Sequence, residues 1–119
     1  MNILVVDDSK AMRSIVMRAV RQAGYDAKFV EAANGAEALK AIRLAPPALV
    51  LADWNMPEMS GIELLQALRA EGNAVQVGFV TSESDPAMRD LAFQSGARFV
   101  LTKPFTPDVI KAALVEVLP

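Results

Sequence analysis

Five short apolar runs, at residues 3–7, 27–31, 48–53, 75–81 and 97–102, recur along the chain with a helical pattern after each. They are rich in Val, Leu, Ile and Phe, and several are nearly continuous rather than alternating, the pattern of strands covered on both faces. In the first intervening segment Met12, Ile15, Val16, Ala19, Val20 and Ala23 repeat at helical spacing, and Gly24 stops the pattern. Further helices are expected at about 35–45, 60–71, 86–95 and 107–118. Asn34 with Glu37 and Ser60 with Glu63 have capping-box spacing, while Asp85-Pro86 and Thr106-Pro107 place a cap before a first-turn proline. Strands alternating with helices imply an α/β fold: a parallel sheet with right-handed crossovers and helices on both faces. With 119 residues, 53% of them hydrophobic, and no linker or low-complexity segment, one domain spanning 1–119 is expected.

In such a sheet, ligands collect beyond the carboxyl ends of the strands. The first strand ends in Asp7-Asp8, the third in Asp53, the fourth in Thr81-Ser82, and the fifth runs into Lys103-Pro104. Every strand but the second thus ends in a side chain capable of chemistry. Taken singly, each has a structural explanation: Asp7 or Asp8 caps a helix, Asp53 and Thr81 serve turns, and Lys103 is a solvated loop charge. Together they gather three carboxylates, a hydroxyl and an ammonium on one sheet edge. Asp is a poor strand former and adjacent like charges repel, so local propensity gives no reason for the Asp7-Asp8 pair.

Composition removes several function classes. Twelve Lys and Arg against 14 Asp and Glu give a net charge of −2, with no basic block to track a phosphate backbone, so direct nucleic-acid binding is not expected. The absence of Cys removes disulfides and thiolate metal sites, and the absence of His removes imidazole ligands, an imidazole base and any phosphohistidine. Phosphoryl chemistry must therefore begin on another molecule. The N-terminus lacks a basic region and a long apolar stretch, so neither a signal peptide nor a membrane span is expected, and the location expected is cytoplasmic.

The sequence resembles the receiver domains of two-component response regulators, of the single-domain CheY-like type. The resemblance covers essentially the whole chain and rests on Asp7-Asp8, Asp53-Trp54-Asn55-Met56-Pro57 with Gly61, then Thr81, then Lys103-Pro104-Phe105. It implies a flavodoxin-like, doubly wound five-stranded sheet of order 2-1-3-4-5 with five helices on both faces. It implies that Asp53 accepts a phosphoryl group and that Mg²⁺ is the cofactor. Asp8 and Asp53 would bind the ion through their side chains, Asn55 through its backbone carbonyl and Asp7 mainly through water; three acids form an oxygen pocket suited to a hard ion. Lys103 would pair with phosphoryl oxygens, Thr81 would donate a hydrogen bond to one, and the Lys103–Pro104 bond is expected to be cis.

The donor implied is a histidine kinase or histidine phosphotransfer protein. A downstream target is implied on the face of helix four, strand five and helix five. The protein would be a switch rather than an enzyme, catalysing only its own phosphorylation and dephosphorylation. One alternative is an aspartyl-phosphate phosphohydrolase of the haloacid dehalogenase-like kind, which needs a second Asp two positions after the first; here that residue is Asn55, and an amide cannot shuttle the proton. A flavodoxin-like FMN protein is opposed by the acidic first loop, and a phosphorylation-independent scaffold remains a further alternative. One position departs from the family pattern: Val100 stands where an aromatic switch residue is common, with Phe99 on the opposite face of the strand. In helix four, Met88, Leu91, Ala92 and Ser95 are expected to face inward, leaving Phe93 outside for a partner or as a scattered exposed apolar residue.

Overall fold

The computed structural model describes residues 1–83 and 85–119. Strands β1 (Asn2–Val6), β2 (Lys28–Ala32), β3 (Leu49–Ala52), β4 (Val77–Thr81) and β5 (Phe99–Thr102) alternate with helices α1 (Lys10–Gln22), α2 (Gly35–Leu44), α3 (Gly61–Ala70), α4 (Pro86–Gln94) and α5 (Pro107–Val115). All pairings are parallel, and the strand order is β2-β1-β3-β4-β5.

Strand alternation divides the interior into two apolar layers. Leu4, Val6, Val50, Ala52, Val77, Phe79 and Val100 pack against α2, α3 and α4. Their neighbours Ile3, Val5, Leu49, Leu51, Val80 and Phe99 pack against α1 and α5. Both faces of the central strands are therefore buried, which explains why those strands read as continuous apolar runs. Phe99 does point away from Val100; its ring covers Gly78, where any Cβ would strike it.

The helix starts follow their caps. The Ser60–Glu63 box is complete, with the Ser60 hydroxyl accepting from the Glu63 N–H and the Glu63 carboxylate accepting from the Ser60 N–H. Asn34 caps α2 through the Glu37 N–H, but Glu37 bonds the Asn34 side-chain amide rather than its backbone, so only half of the expected box forms. The inward face of α4 also differs from the expected stripe. Only Ala92 is fully buried, Leu91 is 40% exposed, and Arg89 turns in to donate from Nη1 to the Val100 carbonyl at 3.1 Å. A shallowly seated helix takes its rotation from such tertiary contacts more than from hydrophobic spacing. Phe93 is 46% exposed, with the Arg89 guanidinium 5.9 Å from its ring centre.

Gly61 opens α3 where its chain passes under the end of β3. Its N–H donates to the Trp54 carbonyl at 2.8 Å, and a methyl group at this position would run into the Asp53 carbonyl oxygen and the Phe79 ring. Neither obstacle can swing aside, so Gly61→Ala is expected to cost about 1–3 kcal/mol of stability by overpacking, read from chemical denaturation. An unchanged denaturation midpoint would mean that the loop after Asp53 yields freely.

Candidate functional site

The strand register brings the predicted residues together at one end of the sheet. Val6 pairs with Ala52, so Asp7 and Asp53 emerge side by side, and the Asp53 N–H donates to the Val6 carbonyl at 2.9 Å. Thr81 pairs with Thr102, and the Lys103 N–H donates to the Thr81 carbonyl at 2.7 Å. Asp7, Asp8 and Asp53 each offer a carboxylate oxygen, all lying within 4.8 Å of one another.

Helix capping does not explain this acid pair. Ser9 caps α1, its hydroxyl accepting from the Met12 N–H at 3.2 Å. Asp7 is buried, and every polar group on it is engaged. Its N–H donates to the Ala32 carbonyl, Oδ1 accepts from the Ser9 N–H at 2.9 Å, and Oδ2 accepts from Lys103 Nζ at 3.1 Å. Its carbonyl accepts from Arg13 Nη1 at 2.7 Å. Asp8, by contrast, is exposed, so its carboxylate is open to a ligand.

Lys103 Nζ also approaches Asp53 Oδ2 at 3.7 Å, so one ammonium bridges two of the three acids. The Lys103–Pro104 bond is cis. Burial pushes the Asp53 carboxyl above its ordinary range, Lys103 pulls it down, Asp7 raises it again, and the Trp54 and Asn55 backbone N–H groups lower it. The outcome is a carboxylate held more basic than an exposed one.

Thr81 is buried, and its hydroxyl oxygen accepts from the Glu83 N–H at 3.2 Å, so it serves the turn as its structural reading required. That bond uses a lone pair and leaves the hydroxyl proton free to be donated. Asn55, Ser82 and Glu83 are exposed around the rim. Trp54 is buried on the α3 side, its ring centre 5.1 Å from that of Phe79, while its backbone adjoins the acids. A separate apolar cleft of about 220 Å³, lined by Leu4, Val30, Ala41 and Leu44 among others, lies toward the opposite end of the sheet and holds no ionisable side chain.

Two residues escaped the sequence reading. The second strand also reaches the site: Glu31, near the end of β2, accepts from Arg13 Nε at 2.9 Å, and the same guanidinium holds the Asp7 carbonyl. The available signal was an arginine one helical turn after the cap, with an acid near the end of the neighbouring strand.

Three hard-oxygen carboxylates converging beside a bridging ammonium match the requirements of a divalent cation and an anionic group bound together. The family model for the response regulator receiver domain matches residues 3–115. A chemotaxis protein CheY homolog of Campylobacter jejuni is 40% identical over 121 residues, covering 99% of this chain and 92% of that protein. Chemotaxis protein CheY1 of Helicobacter pylori is 36% identical, covering 99% and 97%. The crystallised chemotaxis protein CheY4 of Vibrio cholerae superposes with a TM-score of 0.85 at 33% identity, covering 98% of both chains. With its fold, its acid cluster and these relatives in agreement over nearly the full sequence, the chain belongs to the receiver domain family of response regulators.

Proposed function

We propose that the protein is a phosphorylation-dependent signalling switch that takes a phosphoryl group onto Asp53 from a phosphohistidine on a kinase or phosphotransfer protein. The observation that carries this reading is the position of Asp53, a desolvated carboxylate flanked by two acids and within 3.7 Å of the Lys103 ammonium. The transfer balances as a displacement: an Asp53 oxygen forms a bond to phosphorus, the phosphorus–nitrogen bond breaks, and its electron pair stays on the donor imidazole. The product on this chain is an acyl phosphate.

Each neighbour has a part in that transfer. Asp8 and Asp53 carboxylates with the Asn55 carbonyl would hold Mg²⁺, and Asp7 would act through water; the acid cluster fits such an ion. When bound, Mg²⁺ offsets the charge between carboxylate and phosphoryl oxygens. Lys103 exchanges its contact with Asp7 for the incoming oxygens, and the Thr81 hydroxyl donates its free proton to one of them. The protein then acts on no other substrate, and its output is a change in partner affinity through α4, β5 and α5. None of the described residues forms a helix long and apolar enough to cross a membrane, and we place the protein in the cytoplasm, with the chemotaxis role of its relatives as the leading pathway.

Intact mass after incubation with Mg²⁺ and acetyl phosphate is expected to show one added phosphoryl group, removed by hydroxylamine. A wild-type protein that takes up none would refute the reading. The same sample gives the lifetime. Asn55 and Glu83 are exposed on the rim, and neither side chain is bulky enough to seal a phosphoryl group on Asp53 from water, so decay is expected to be fast once the donor is removed. Bulkier or basic residues at these two positions should slow it several-fold. A half-life of hours, or no response to those substitutions, would refute the kinetic assignment while leaving the acceptor in place.

A further inference from the structure

The Arg13–Glu31 pair is absent from the chemistry above, yet it touches the backbone of the metal pocket. The Arg13 guanidinium is folded into the protein, its side chain only 14% exposed, and it makes two directed bonds. Nη1 donates to the Asp7 carbonyl at 2.7 Å and Nε donates to Glu31 Oε1 at 2.9 Å. The Asp7 carbonyl belongs to the peptide plane joining Asp7 to Asp8. Asp7 has three other anchors, namely the Ala32 carbonyl, the Ser9 N–H and Lys103. The carboxylate of Asp8 is exposed, so its direction depends heavily on how that shared plane is turned. Glu31 sits on β2, at the sheet edge, and fixes the guanidinium from behind while neutralising its charge.

We infer that Arg13 is a positioning residue for divalent-cation binding: it locks the Asp7–Asp8 peptide so that the Asp8 carboxylate faces Asp53, and Glu31 keeps the nearby positive charge from repelling the ion. This inference rests on the reading of the acid cluster as a Mg²⁺ site. Its sign separates it from a simple charge effect. Deleting a cation beside three acids should tighten Mg²⁺ binding if only Coulomb forces act. Deleting a clamp should weaken binding, because partners that orient metal ligands contribute about tenfold or more to affinity.

The test is Mg²⁺ titration of the full chain, followed by calorimetry and by Trp54 emission, with the metal-free melting temperature recorded for each variant. Arg13→Met is expected to weaken Mg²⁺ binding about tenfold. Arg13→Lys restores the charge but not the two-pronged geometry, and it should recover only part of that loss. Glu31→Gln still offers an oxygen to Nε but leaves the guanidinium charge uncompensated; its affinity should fall about twofold to threefold at low salt and return toward wild type as salt screens the charge. Unchanged or tighter binding in Arg13→Met, or full recovery in Arg13→Lys, would overturn the clamp. Should Arg13→Met fail to fold, the salt dependence of Glu31→Gln decides, and a salt-independent affinity equal to wild type counts against the pair. No Mg²⁺ binding by the wild type would instead remove the metal-site reading itself.

Discussion

Asp53→Asn protein incubated with Mg²⁺ and acetyl phosphate is expected to gain no phosphoryl group, whereas the wild type is expected to gain one. The amide keeps the size and placement of the side chain but lacks the anionic oxygen that bonds to phosphorus. Equal mass gain in both proteins would move the acceptor elsewhere. The same substitution should raise thermal stability without metal, because of the direction in which Asp53 is shifted. Burial holds its folded-state carboxyl above the unfolded value, so its ionised form is carried less easily by the fold than by the open chain. Any stabilisation it gives is complete only below the unfolded value, about pH 3.9, and is lost as pH rises through the higher folded one. At neutral pH the carboxylate is a net cost, and asparagine removes it. The melting temperature should therefore rise by a few degrees at pH 7, and the gain should vanish under acid conditions where Asp53 is already protonated. Saturating Mg²⁺ should reverse the order, since an ion that binds the folded wild type stabilises it by mass action.

Asp8→Ala is expected to lower Mg²⁺ affinity by about two orders of magnitude, while Lys103→Ala leaves it unchanged or raises it. The opposite signs follow from the geometry. The exposed Asp8 carboxylate is available to an incoming ion, and its removal takes one negative charge from the cluster. Lys103 occupies two of the same acids, at 3.1 Å from Asp7 and 3.7 Å from Asp53, and so competes with a cation for them. Phosphorylation can survive in the lysine variant, but switching should fail because the phosphoryl oxygens lose their ammonium partner. Trp54 follows Asp53 in the chain, and with no other indole present its emission is expected to report both titrations. Equal losses of metal affinity in the two variants would show that the roles assigned to Asp8 and Lys103 are wrong.

How far the sequence was legible depended on what fixes each feature. The strands were readable because both faces of the central ones are covered, leaving apolar runs that end where the chain meets the site. Asp7, Asp8, Asp53, Thr81 and Lys103 stood out for the same reason: each follows or ends such a run. The division of labour among them was hidden. Ser9, not either acid, caps α1, and the Thr81 oxygen serves its turn while keeping a proton to donate. Arg13 and Glu31 were missed because they meet only when β2 is laid beside β1, an adjacency that no local pattern states. In α4 the spacing placed Leu91 inside, whereas a hydrogen bond to a β5 carbonyl draws Arg89 in.

The shallow seating of α4 sets how cheaply the molecule can change shape. Among its residues only Ala92 is fully buried, whereas α2 contributes four buried residues and α3 five. Since the free energy of exposure scales with the apolar area uncovered, sliding or tilting α4 uncovers far less than the same movement of α3. Displacing α3 would also drag Gly61 and the Asp53 loop against which it is fitted. The architecture thus joins a closely packed α3 and Asp53 loop to one loosely moored neighbour, so a weak local event could be converted into movement of a whole helix without loosening the core beneath it.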